Sequence, residues 1–120
     1  MLWLALLLIL GGSYWGLRAL SEQKAPGGRH GPFNLRISDA TLNQTAPLFK
    51  MTQGAAVTFV IRSERPGELH IHGYEKVIPL QVDRQIEIHF PASMQGMFPV
   101  HLHDPDGLMH QVATMEVLPP

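Results

Sequence analysis

From Phe33 onward the chain alternates apolar and polar side chains in short runs separated by turn-forming residues. Arg84–Phe90 is the cleanest case. Ile86, Ile88 and Phe90 fall on one side and Glu87 and His89 on the other, the signature of a strand with one buried face. Ala55–Arg62 is β-branched and places Val57, Phe59 and Ile61 on a common face. Asn34–Ser38, Glu68–His72, Val77–Val82, Met97–His103 and Met109–Leu118 read as further strands, and Pro79 assigns Val77–Val82 to a sheet edge or a bulge. Glu64-Arg65-Pro66-Gly67 and Asp104-Pro105-Asp106-Gly107 are turn sequences. No stretch after Phe33 keeps a helical apolar period over about twelve residues. Seven or eight short strands over residues 34–120 predict an all-β domain, an antiparallel Greek-key β-sandwich.

The N-terminus has a different texture. Residues 1–17 carry no charged side chain, and Leu2–Leu10 is unbroken apolar sequence, at the short end of what spans a bilayer. Trp3, Tyr14 and Trp15 suit membrane interfaces. Residues 1–20 are therefore expected to be a transmembrane anchor, with a cleaved signal peptide as the alternative; Arg18-Ala19-Leu20-Ser21 is a poor cleavage sequence. The positive charges Arg18, Lys24 and Arg29 follow the apolar run, which runs against the usual inside placement of basic residues. Residues 21–33, rich in Gly and Pro, read as a flexible linker in which His30 is solvated. The expected location is the periplasmic or extracytoplasmic face, anchored in the membrane.

Composition removes several classes of function. The chain has no cysteine, which excludes disulfides, thiolate metal sites and cysteine nucleophiles. Its net charge is −1, and from Phe33 onward six Lys/Arg stand against nine Asp/Glu, so no nucleic-acid partner is expected. Nucleophile motifs, phosphate loops and dinucleotide fingerprints are lacking, and Glu75 and Asp104 are the carboxylates considered as possible bases near the histidines. An enzyme is not expected.

Histidine is the unusual feature: seven occur, four of them as two alternating pairs. In Leu69-His70-Ile71-His72 and Val100-His101-Leu102-His103 the imidazoles share one strand face while Leu69, Ile71, Val100 and Leu102 share the other. If the two strands are antiparallel neighbours, directly opposed side chains sit about 4.5–5.5 Å apart and four imidazoles converge. Neutral imidazole suits copper, zinc and nickel. Six methionines, Met94, Met97 and Met109 among them, offer soft thioether donors or simply fill the core. The competing reading of the paired histidines is structural, with imidazoles bonded to one another, to Tyr74 or to Asp104.

The run from Val57 to Val117 resembles a cupredoxin-like domain, closest to the iron-transport-associated (EfeO-type) group and to the periplasmic domain of cytochrome c oxidase subunit II. The matching residues are Val57-Thr58-Phe59, Ser63-Glu64, His70-x-His72-Gly73-Tyr74, Phe90-x-Ala92, Gly96-x-Phe98 and His103-Asp104. The resemblance implies a copper ligand at His70 and, later in the chain, places His110 and Met115 near the family's last His and Met. The family's ligand cysteine falls at Leu102 or His103, so no blue-copper or dinuclear thiolate centre is expected. Together these readings predict a membrane-tethered cupredoxin-like protein binding a transition metal, copper first, through His70, His72, His101, His103 and His110. Storage, delivery or an accessory role would follow; the alternative is a metal-free interaction or assembly module within an exported complex.

Overall fold

The structure, a computed structural model, describes residues 25–120. The anchor or signal segment expected over residues 1–20 lies outside the described residues, as does the start of the linker. Among the described residues no helix is long and apolar enough to cross a membrane.

The alternating runs fold as strands. In chain order these are β1 (Arg29–Ile37), β2 (Leu48–Thr52), β3 (Ala56–Ser63), β4 (Gly67–Ile71), β5 (Lys76–Leu80), β6 (Gln85–Pro91), β7 (Gly96–His103) and β8 (Met109–Leu118). A single turn of helix, α1 (Asp39–Leu42), links β1 to β2 and is closed by a capping box between Ser38 and Thr41. Two sheets result, one of three strands in the order β1-β3-β6 and one of five in the order β2-β8-β7-β4-β5. The all-β, two-sheet expectation is met. Pairing is not purely antiparallel as expected, because β1 runs parallel to β3 and β2 parallel to β8.

Three local differences from the sequence reading have physical causes. β1 begins at Arg29, inside the segment expected to be a flexible linker, and His30 pairs with Val57. An edge strand tolerates the Gly31-Pro32 step, where the ladder shifts register between His30 and Phe33. β2 was not visible as a strand: five residues at an edge, with Leu48 exposed and only Met51 fully buried, carry little alternation. β5 contains Pro79 and lies at the edge, as its proline requires.

The core fills the space between the sheets. Phe59 stacks on Phe90 at 6.0 Å, with Phe33 and Phe49 against its other sides at 5.3 and 5.4 Å. Leu69, Ile71, Val100 and Leu102 point inward from β4 and β7, all buried. Each contributes about 1.5–3 kcal/mol of burial. This apolar inner face makes β4 and β7 a firm platform for whatever their outer face carries.

Candidate metal centre

β4 and β7 are antiparallel neighbours in the middle of the five-stranded sheet, with Glu68 opposite His103, Leu69 opposite Leu102, His70 opposite His101 and Ile71 opposite Val100. One residue beyond β4, the His72 amide donates to the Pro99 carbonyl at 3.1 Å and continues the ladder. All four alternating histidines therefore share the outer face, and their rings meet across diagonals of the ladder. His70 stacks on His103 with centroids 3.7 Å apart and planes 11° from parallel. His72 meets His101 edge to face at 4.5 Å and 67°.

One ring nitrogen from each of His72, His101 and His103 lies within 4.8 Å of the other two. Nitrogens bound to one ion at about 2.0–2.1 Å are at most about 4.2 Å apart, so small ring rotations close the triad on a metal. Two more observations fit a metal there. His101 Nδ1 and His103 Nε2 are buried and have no hydrogen-bond partner among the described residues. Leaving such groups unpaired costs about 1–3 kcal/mol each, a cost that coordination removes. Desolvation, followed by the proximity of His72, His103 and His70, also pushes the His101 pKa down, holding that ring in the neutral form a metal needs.

His70 is placed differently from the other three. Its Nε2 lies 3.2 Å from Glu68 Oε2, a half-exposed carboxylate two residues back on the same face. In the sequence Glu68 reads only as the start of a strand, although its i, i+2 spacing from His70 already assigns it to that face.

The Gly73-Tyr74 part of the motif is structural. Gly73 adopts φ +86°, and a Cβ there would lie 2.5 Å from the Phe98 ring. Glycine thus lets the chain turn immediately after His72 with Phe98 packed beneath. The Tyr74 hydroxyl donates to the Met94 carbonyl at 2.7 Å and accepts from the Met94 amide at 3.0 Å, while its ring packs edge to face on Phe98 at 4.8 Å.

His110 does not join the cluster. Between β7 and β8 the ladder shifts, Val100 facing Ala113 but His101 facing Gln111, so that Val112 is an extra, buried residue on β8. An uninterrupted ladder would have set His110 opposite His103 on the outer face. The bulge sets it opposite Leu102 on the inner face and puts Met109 opposite His103. His110 Nε2 there lies 2.8 Å from Asp104 Oδ2, to which Arg65 Nη2 also donates at 2.7 Å; Arg65 Nη1 reaches Asp39 Oδ1 at 2.7 Å. Asp104 is buried, and its partner Arg65, from the β3–β4 turn, carried no sequence signal beyond the turn itself. Met115, aligned by resemblance with a family ligand, is a fully buried core residue. His89 lies on the other sheet, bonded to Thr58 at 2.9 Å and beside Glu87 at 3.1 Å.

No family model matches the chain, and a search of the curated proteins finds no match. Among solved structures it is similar to a copper-binding protein determined in solution in its apo form, with a TM-score of 0.55 and 13% identity over 80% of this chain and 93% of that one. It is also similar to the metal-binding domain of the Cu(I)-exporting P-type ATPase of Streptococcus pneumoniae D39, solved with Cu(I), with a TM-score of 0.48 and 10% identity over 74% of this chain and 99% of that one. The first likeness establishes a shared two-sheet fold.

Proposed function

We propose that this is a cupredoxin-like, membrane-tethered protein that binds one transition-metal ion, copper first, on the outer face of its five-stranded sheet through His72, His101 and His103. The observation that carries the reading is the convergence of three imidazole nitrogens within 4.8 Å on a firm strand pair. Two of those rings keep a buried nitrogen unpaired, and no cysteine offers a thiolate. Imidazole donors of this kind suit copper and zinc. The fold is shared with a copper-binding protein, which ranks copper first. The uncharged apolar run over residues 1–17 supports a membrane tether. With the metal on a solvent-facing sheet and without the thiolate of a blue-copper site, holding and passing on the ion is the role in best accord with the chemistry, and no catalytic activity is proposed.

Copper titration of the tag-free protein tests this. Wild type is expected to take up one Cu(II) per chain, and His72→Ala or His101→Ala to weaken uptake by more than about 100-fold, beyond what loss of an outer-shell partner costs. His89→Ala and His110→Ala, remote from the triad, should leave uptake unchanged. A wild type that binds no metal would instead favour the interaction-module reading.

A further inference from the structure

The four histidines of the outer face are not equivalent, and the difference lies in how their planes meet. An imidazole coordinates through a lone pair in the plane of its ring, with nitrogen about 2.0–2.1 Å from the ion. His103 and His70 are stacked nearly parallel with centroids 3.7 Å apart. An ion in the plane of His103 therefore lies off the plane of His70 and out of line with its in-plane lone pairs. His72 and His101 meet at 67° and His72 and His103 at 33°, and one nitrogen of each of these three rings lies within 4.8 Å of the other two, whereas His70, although at 38° to His72, contributes no nitrogen to that group. Glu68 completes the arrangement by occupying the Nε2 side of His70 at 3.2 Å.

We propose that the centre coordinates its metal through three imidazoles only and keeps one coordination position open to solvent for a small monodentate donor, His70 acting as a stacked wall that positions the His103 ring. This rests on the metal-binding reading above. The open position is on the side of His72, the most exposed member of the triad. It would accept water, azide, chloride or the side-chain donor of an incoming carrier. A three-coordinate centre with a free position on a surface exchanges its ion by associative ligand replacement, whereas a closed four-imidazole site would have to break a bond first. The positioning role needs only the flat face of His70, not its nitrogens.

The experiment uses the full chain loaded with one equivalent of Cu(II). Pulsed electron paramagnetic resonance counts the coordinated imidazoles, and azide titration reads the open position through its charge-transfer band. Wild type and His70→Phe, which keeps a flat ring against His103, are expected to show three imidazoles and to bind azide with the same affinity. His70→Ala removes the wall and should lower copper affinity about 10–100-fold, as loss of an orienting partner does, with the imidazole count unchanged. A wild type with four coordinated imidazoles, or a His70→Phe protein that loses one imidazole, would overturn the inference while leaving metal binding intact. Equal copper affinity in wild type and His70→Ala would overturn the positioning role. A wild type that takes up no copper defeats the earlier reading and this one with it.

Discussion

His103 and Asp104 are consecutive residues at the end of β7, and they face opposite ways into two polar regions of opposite character. Asp104 turns inward, where Arg65 and His110 both reach its Oδ2 and Arg65 ties it on to Asp39, while its buried Oδ1 has no partner among the described residues. His103 turns outward into a cluster where two buried ring nitrogens lack a partner among the described residues and where only His70, outside the triad, lies beside a carboxylate, that of Glu68. A charged group that is buried and paired contributes to holding the fold. Neutral donors gathered with their lone pairs unspent weaken the fold slightly and are kept for what they bind. Both regions hold a buried atom without a partner among the described residues, so what separates them is the opposite charge that meets Asp104 and that the triad lacks.

The sharpest way to break this contrast is to remove the paired group. Asp104→Ala takes from the His110 ring and from Arg65 Nη2 their shared partner beside the β7–β8 turn, leaving Arg65 only Asp39, and should lower the free energy of unfolding by about 2–3 kcal/mol. Chemical denaturation monitored by circular dichroism measures it, with copper stoichiometry expected to stay at one per chain. Unchanged stability would mean that the Asp104 network is ornamental and that pairing does not mark the structural region.

The mirror experiment is His101→Leu. If the buried nitrogens cost stability, the leucine protein should be as stable as wild type without metal, or more so by up to about 1 kcal/mol, while copper binding is lost. A loss of 2 kcal/mol or more would move His101 to the structural side of the comparison.

The smallest effect is expected from pH. The His101 pKa is lowered in the fold, by desolvation first and by its histidine neighbours second. Below the unfolded value of about 6.5 the unfolded chain takes up a proton that the folded chain refuses, so metal-free stability should fall as pH drops from about 6.5 toward the lowered folded value. Above that range His101 contributes no pH dependence. Denaturation midpoints between pH 7.5 and 5 should show this slope in wild type and a shallower one in His101→Leu; equal slopes would assign the dependence to other groups.

The sharing of one face by His70 and His72, and of one by His101 and His103, was legible because strand period is strict and Leu69, Ile71, Val100 and Leu102 mark the buried side. That the two pairs face each other depended on which strands neighbour in the sheet, a long-range fact that no local pattern carries. The ring planes, which separate His70 from the triad, depend on side-chain packing and lie beyond any sequence spacing. That His110 faces away from the cluster was illegible for a more specific reason. Val112 and Ala113 are two consecutive buried residues with no glycine to announce a bulge, so the break in alternation looks like ordinary apolar sequence. β2 stayed hidden because its five residues bury only one side chain completely.

That bulge has a consequence for how such a centre changes over time. Whether an imidazole or a thioether stands beside His103 depends on counting, since one residue more between His110 and Gln111, with the bulge kept, would turn His110 outward opposite His103 and Met109 inward. Ligand identity on this face is thus open to single-residue insertion and deletion, a kind of variation that ordinarily damages a strand. A lineage could shift the donor set between borderline imidazole and soft thioether without altering one codon of the histidine motifs, and a designer could do the same with one insertion.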